Sequence, residues 1–153
     1  MGKCCIHKIF LNLSVRSWIT SIGKLFIADG VNSNERITRY LFSKKSFRAD
    51  NTLHHNEFMP PKNYRWSVYR TLTLAETEIW RIGNTVVSPA RKLPLIGRGD
   101  LPAEDILALN LSIRPATAPH PLHANVEGWK GDTVKDRLLA LKLAEAATGY
   151  RTP

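Results

Sequence analysis

Cysteine is scarce in this chain of 153 residues, which contains only the adjacent pair Cys4 and Cys5. Adjacent cysteines rarely bond to each other, and no CxxC spacing is present. These two facts exclude a disulfide framework and a structural zinc site. A chain with this cysteine usage fits a reducing compartment, so we expect a cytoplasmic location.

The chain also lacks the longer signatures of several protein classes. It has no run of about 18 apolar residues, which excludes a helix that spans a membrane. GxSxG, a P-loop and a dinucleotide-binding fingerprint are absent. His54 and His55 have no downstream histidine at a spacing suited to a metal. We therefore predict no metal and no cofactor, and whether the protein is an enzyme stays open.

The composition that is present is typical of a globular domain, with 43% apolar and 23% charged residues. A chain of about 150 residues buries roughly 68–70% of its unfolded surface, which is enough for one core. We predict a single α+β domain over residues 34–153. Residues 1–33 are predicted to be an amino-terminal extension, which is either flexible or upstream of a start near Val31.

The extension carries conflicting signals. Its first five residues are similar to an acylated amino terminus, but the myristoylation pattern requires Ser or Thr at the position of Ile6. The apolar stretch from Ile9 has no small-residue cleavage site, which disfavours a secretory signal. Peripheral membrane contact through residues 1–27 would need a basic amphipathic helix, and we do not expect it.

Positive charge is concentrated in the first half of the chain. Of the net charge of +9, eight units lie in the first 70 residues, and residues 34–70 hold eight positive and three negative side chains. Such an asymmetry attracts phosphate backbones, anionic lipids or acidic proteins, but it also suits a solvated face that keeps a protein soluble. The candidate contacts to an anionic partner are Arg39, Lys44, Lys45, Arg48, Lys62 and Arg65.

Local patterns predict two strands and a helix in the first half of the domain. Residues 37–42 are rich in strand formers and residues 65–70 alternate in polarity, and a basic loop separates them. Thr73 and Glu76 form a capping-box pattern, which predicts a short helix that ends at Gly83. A short strand is predicted at 85–87.

In the second half, Asp100 is predicted to cap a short helix, and residues 111–114 are predicted to form a strand. The last helix should begin at Asp132 or Thr133 and end at Gly149. Its packed side is expected to hold Val134, Leu138, Leu141 and Leu143. These elements predict a small mixed β-sheet with about three helices, the last of them at the C-terminus.

Residues 120–129, just before the last helix, are rich in functional side chains. His120 and His123 can act as general bases, Asn125 can orient a carbonyl or phosphate, and Trp129 can stack a ring. Proline and glycine bracket the segment, which predicts a loop. A structural role is the alternative, because His and Asn in tight connections often bond to the backbone. We expect a buried Trp129 that covers Leu138, with His120 or His123 accessible beside a concave surface.

Two arginines are further candidates for ligand binding. Arg98 lies in Gly97-Arg98-Gly99-Asp100, which is similar to a small anion cradle before a helix, although Asp100 also suits a plain helix cap. Arg70 is expected to point inward at the end of its strand, where a buried guanidinium needs a carboxylate or a bound anion. Glu78, Asp100 and a ligand phosphate are its candidate partners, and extension to solvent is the alternative.

The order of short motifs along the chain is the basis of one resemblance to known proteins. The motifs are Phe58-Met59-Pro60-Pro61, Trp66-Ser67-Val68-Tyr69-Arg70, Glu78-Ile79-Trp80, Gly97-Arg98-Gly99-Asp100-Leu101, His123-Ala124-Asn125 and Gly128-Trp129. Over about residues 35–147 the chain resembles small uncharacterised bacterial proteins with motifs of the type LSVxR, EIW, GRxDL and HANxxGW. The resemblance implies a bacterial protein, but it implies no activity and transfers no functional residue. Lys130-Gly131 occupies the place where a proline turn is expected.

Two functions remain open at this point. The leading hypothesis is a binding or accessory protein for nucleic acid or another anionic partner, because a basic half lies beside an aromatic-containing strand. The alternative is a small enzyme that uses the 120–129 segment, with Arg70, Arg98 and Asp100, on a phosphate- or carbonyl-bearing substrate. Convergence of His123, Asn125 and Arg98 on one pocket would favour the enzyme.

Overall fold

The computed structural model describes residues 30–153, which form one α+β domain around a six-stranded sheet. Strands β1 to β6 are Arg36–Leu41, Trp66–Arg70, Gly97–Pro102, Ser112–Pro115, His123–Glu127 and Thr148–Arg151. Their order across the sheet is β4-β5-β2-β1-β3-β6, and each neighbouring pair is antiparallel. The predicted α+β class is confirmed, and the pairing is antiparallel rather than mixed.

Three helical segments accompany the sheet. Helix α1 (Glu76–Ile82) continues through π-helical Gly83–Val87 into the short α-helical turn Ser88–Arg91. Helix α2 is Ala103–Ala108 and helix α3 is Thr133–Ala146. The Asp132 carboxylate caps α3 by accepting hydrogen bonds from the first backbone N–H groups of the helix, as N-cap carboxylates do. The predicted start of the last helix is therefore confirmed.

Predictions that concern residues 1–29, including membrane contact through residues 1–27, lie outside the described residues. Within residues 30–153, no helix is long and apolar enough to cross a membrane.

The region around Gly83 differs from the prediction. Helix α1 begins at Glu76 without a side-chain cap, so the capping box at Thr73 does not form. The helix does not stop at Gly83, and the predicted strand at 85–87 is helical. A Cβ at Gly83 would lie 2.7 Å from both Tyr40 and Leu95. Glycine is therefore needed there for close packing on the sheet, not for termination of the helix.

The segment around Arg98 is strand β3, which pairs with β1 and β6 and leads directly into α2. The predicted short helix therefore forms, but Pro102 rather than Asp100 is its N-cap residue. Two glycines allow close packing on this strand. A Cβ at Gly97 would lie 2.6 Å from the Phe47 ring, and a Cβ at Gly99 would lie 2.5 Å from Leu53. The connection between β1 and β2 packs directly on these glycines, which is a long-range contact that local sequence does not show.

The end of the chain also differs from the prediction. Residues 123–127 form strand β5 rather than a loop, and Gly149 lies in strand β6 instead of ending the last helix. Helix α3 buries Ala140, Leu143 and Ala144 against the sheet.

The two faces of the sheet differ in chemistry. One face carries the larger apolar core, including Leu41, Trp66 and Val126, which lies under α3 and the 3₁₀ turn His55–Phe58. On the other face, Tyr40 and Tyr69 pack beneath α1. That second face, called the polar face below, also carries Thr38, Ser67, Arg98, Asp100, His123 and Asn125, because residues directly opposite in register share a face.

Candidate functional site

A hydrogen-bonded serine–histidine pair joins β2 and β5 on the polar face. The Ser67 Oγ lies 2.8 Å from His123 Nε2, and His123 Nδ1 lies 2.7 Å from the carbonyl oxygen of Ala116. Because a carbonyl oxygen only accepts, Nδ1 donates to it, and in the neutral ring Nε2 accepts from the Ser67 hydroxyl. The carbonyl thus orients the ring, as a third group does in nucleophile–base pairs.

Polar residues extend from this pair toward the β4 edge of the sheet. Asn125 is directly opposite Ser67, and Arg114 is directly opposite Asn125. The Glu127 carboxylate, one position further along this face, lies 3.6 Å from Arg65 Nε and 3.3 Å from Arg114 Nε. A hydroxyl, an imidazole, a carboxamide and two guanidinium groups therefore share one end of the polar face.

His120 lies just before β5 and is half-buried. Its Nδ1 accepts a hydrogen bond from the backbone N–H of Leu122 at 3.2 Å. The rings of His120 and His123 both lie near Tyr69, at 6.0 and 5.4 Å between centroids. His123 is the more enclosed of the two, with 9% of its surface exposed. Of the two histidines, only His123 meets a potential nucleophile.

A second polar cluster lies on β3, next to the start of α1. The Arg98 side chain is 1% exposed, with Nη1 2.7 Å from Glu76 Oε1 and Nη2 3.2 Å from Asp100 Oδ2. The rings of Trp80 and Tyr150 each lie 4.6 Å from the guanidinium carbon. Two carboxylates and two aromatic rings hold this cation. Arg98 is therefore neutralised within the domain, which disfavours the predicted anion cradle.

Asp100 belongs to a chain of buried polar groups. Thr38 donates a hydrogen bond of 2.7 Å to its Oδ1. Burial raises the pKa of Asp100 above its usual value, while the Thr38 hydrogen bond and the Arg98 charge oppose this rise. On the exposed side of the cluster, the hydrogen bond from Arg98 lowers the pKa of Glu76. The arrangement keeps Arg98 paired from both sides.

A cleft of about 610 Å³ opens beside this cluster, between α1 and β6. Its volume is within the range of small-molecule sites, roughly 300–1,000 Å³. The lining residues include Phe47, Glu76, Thr77, Trp80, Tyr150 and Arg151. Arg98 lies behind Trp80 and Tyr150, so it supports the cleft without lining it.

The convergence that would favour the enzyme hypothesis does not occur. His123 and Asn125 are on β5 and Arg98 is on β3, with β2 and β1 between them. Tyr69 and Tyr40 occupy the same face between the two clusters. The polar face therefore carries two separate clusters, and the enzyme site does not assemble from the predicted set.

Arg70 is paired with a residue that the sequence did not indicate. Its Nε and Nη2 lie 2.6 and 2.7 Å from the two carboxylate oxygens of Glu35. Glu78 pairs with Arg81 and Asp100 pairs with Arg98, so the predicted partners of Arg70 were wrong. This bidentate pair holds the segment before β1 against the end of β2.

We expect the Glu35–Arg70 pair to make the stability of the fold depend on pH in the acidic range. The hydrogen bond from Arg70 lowers the pKa of Glu35, so the stability it contributes is present above the usual glutamate pKa of about 4.3 and is lost as pH falls through the lowered value. Melting temperatures of the wild type and Glu35→Gln should therefore differ at pH 7 and converge toward pH 3. A difference that stays constant with pH would contradict this assignment.

Four of the predicted basic contacts are exposed, namely Lys44, Lys45, Arg48 and Lys62. In the part of the chain that the structure describes, none of the four has a carboxylate oxygen within 4.0 Å. Arg65 is also exposed and lies near Glu127.

Arg39 differs from the other predicted basic contacts. Its guanidinium lies 5.5 Å from the centre of the Trp66 ring and donates to the Ser67 carbonyl oxygen. Burial lowers its pKa to about 10. Arg39 is therefore half-buried and packed against Trp66, unlike the exposed cations.

Trp129 is a core residue rather than a stacking platform. It is 9% exposed, its ring meets that of Trp66 edge-on at 6.3 Å, and its Nε1 donates to the Val126 carbonyl oxygen at 3.1 Å. Leu138 is 56% exposed, so the expectation that Trp129 covers it was wrong. Trp129 is not available to a ligand.

Groups that would hold a metal do not assemble within residues 30–153, where no cluster of three or more His, Cys, Asp or Glu side chains forms. The rings of His54 and His55 stack on each other at 4.7 Å.

Comparison with protein-family models, curated proteins and solved structures found no match to this chain.

Sequence reasoning did not single out Ser67, Glu35 or the exposed Tyr64 as functional residues. The alternation in β2 places Ser67 beside Tyr69 on one face, but only the register with β5 brings it to His123. Glu35 carries no local signal for its contact with Arg70. Tyr64, which is 45% exposed, lies between Lys62 and Arg65 and was visible in sequence as an aromatic residue flanked by two cations.

Proposed function

We propose that this protein is a binding protein for an anionic polymer, with nucleic acid as the preferred partner. The observation that carries the proposal is the connection 42–65 between β1 and β2, where Lys44, Lys45, Arg48 and Lys62 are exposed without an ion-pair partner among the described residues. Cations in this state are free to neutralise phosphates and release counterions.

The aromatic part of the interface differs from the original expectation. Trp66 and Tyr69 of β2 are 0% and 3% exposed, so neither ring can stack on a base. Tyr64 replaces them, because it is exposed at the end of the same connection and has cations on both sides. An exposed ring beside cations is the combination that binds single strands. The proposal therefore favours single-stranded over double-stranded nucleic acid.

The test is binding of a fluorescent single-stranded oligonucleotide, followed by anisotropy across a salt series. If Lys44 and Lys45 each neutralise one phosphate, Lys44→Gln/Lys45→Gln should reduce the slope of log K against log salt by about 1.4, since each contact contributes roughly 0.7 for a single strand. Tyr64→Ala should weaken binding by about 5- to 150-fold with little change in slope, the equivalent of about 1–3 kcal/mol of stacking.

The matched control is Arg91→Gln/Lys92→Gln. These two residues are also adjacent, exposed and positively charged, but they lie at the end of the helical segment that packs on the opposite face of the sheet. The control removes the same charge and should leave the slope nearly unchanged. Equal effects of the two double variants would show that only overall charge matters, and no binding at low salt would remove the proposal.

A further inference from the structure

We propose that Ser67 and His123 form a nucleophile–base pair that hydrolyses acyl esters. This activity goes beyond polymer binding and does not depend on it. Ser67 faces the polar face, whereas Phe47 and Leu53, in the part of the connection that carries Lys44, Lys45 and Arg48, pack on the other. The geometry that points to it is the hydrogen-bonded series from Ser67 through His123 to the Ala116 carbonyl, with distances of 2.8 and 2.7 Å.

The tautomer is the one that catalysis needs. The Ala116 carbonyl requires a proton on Nδ1, so Nε2 of the neutral ring is left to accept the Ser67 proton. When that proton is transferred, the Nδ1–H bond to the carbonyl also stabilises the imidazolium. A backbone carbonyl thus takes the orienting role that a carboxylate takes in the Ser-His-Asp arrangement.

The reaction balances without a cofactor. Ser67 Oγ bonds to the acyl carbon as its proton passes to His123 Nε2, and the carbonyl oxygen becomes an oxyanion. Collapse of this intermediate breaks the bond to the leaving alcohol, which takes the proton from Nε2. Water then attacks the acyl-serine and gives its proton to Nε2. Release of the acid breaks the bond to Ser67 Oγ, which regains that proton.

A further group that such a reaction requires is a donor to the oxyanion. Asn125 is directly opposite Ser67 in the sheet register, so we assign this role to its carboxamide. Arg65 and Arg114 lie along the same end of the face, where both approach the carboxylate of Glu127.

The test uses a fluorophosphonate and the ester 4-nitrophenyl acetate. We expect the fluorophosphonate to modify Ser67, as located by peptide mass spectrometry, and the ester to be hydrolysed. Ser67→Ala should abolish both the label and the hydrolysis, and His123→Asn should slow hydrolysis by about 100-fold or more, the scale of general-base catalysis.

Ser112→Ala is the matched control, because Ser112 lies on the same face of the sheet, opposite Glu127, without a histidine partner among the residues described. It should retain label and activity. Equal labelling of Ser67 and Ser112, or hydrolysis that persists in Ser67→Ala, would overturn the proposal.

A second variant keeps the test valid if His123→Asn does not fold. In Ser67→Cys, the imidazole should favour the thiolate form of the new cysteine. Because an ordinary cysteine has a low thiolate fraction at pH 6.5, iodoacetamide should alkylate this cysteine about tenfold or more faster than the one in Ser112→Cys. Peptide mapping separates these sites from Cys4 and Cys5. Equal alkylation rates would show that His123 does not activate this position and would overturn the proposal.

Discussion

Replacement of Arg98 by methionine is expected to lower the free energy of unfolding by about 3–5 kcal/mol, the usual cost of removing one partner of a buried ion pair. Methionine fills much of the same volume between Trp80 and Tyr150, so the loss would come mainly from charge. Asp100 is 7% exposed and would remain buried without its cation. Urea denaturation followed by tryptophan fluorescence measures the effect.

A double-variant cycle shows whether the unpaired carboxylate is the cause. Arg98→Met/Asp100→Asn removes both charges, so it should be less destabilised than the sum of the two single variants. Arg81→Met is the control, because the Arg81–Glu78 pair is exposed and its loss should change stability little. Additive effects in the cycle, or a loss for Arg98→Met no larger than for the control, would contradict the assignment.

Local sequence patterns were sufficient to predict strand β2 and the start of helix α3. The alternation in residues 65–70 predicted β2, because side chains alternate between faces along a strand. Asp132 predicted the start of α3, because its carboxylate satisfies N–H groups that have no partner within the helix. In both cases the cause lies within a few residues, so the pattern and the structure agree.

Other elements depend on contacts that are distant in sequence. Strand β3 contains two glycines and ends in a proline, a composition that suggests a turn. It is extended because it pairs with β1 and β6, and Gly97 and Gly99 leave room for Phe47 and Leu53 to pack on it. The helical continuation through Gly83 has a similar cause, since Leu95 and Tyr40 pack against its bare backbone.

The candidate site shows the same difference between local patterns and contacts that are distant in sequence. The sequence indicated His123 and Asn125 as functional side chains, but it predicted a loop for them, and the enzyme hypothesis grouped them with Arg98. Their real neighbour, Ser67, is 56 residues away along the chain and is brought to His123 by the pairing of β2 with β5. Register between distant strands is set by the whole sheet, so this contact could not be read from local spacing.

The remaining large effect is expected at Trp129. Trp129→Ala should lower the free energy of unfolding by about 3–5 kcal/mol, because it removes a large buried side chain and leaves a cavity. The indole packs edge-on against Trp66, which is 0% exposed, and its N–H satisfies the Val126 carbonyl oxygen. Trp129→Phe should cost less, since it keeps an aromatic ring and loses mainly the hydrogen bond.

The matched control for Trp129 is Leu138→Ala on α3. Sequence periodicity placed Leu138 in the core, whereas the structure leaves it 56% exposed. Truncation of an exposed side chain usually changes stability by no more than about 0.5 kcal/mol. Urea denaturation of the three variants against the wild type therefore tests both the packing of Trp129 and the orientation of α3. A loss for Leu138→Ala as large as that for Trp129→Ala would mean that α3 packs through the face that the periodicity indicated.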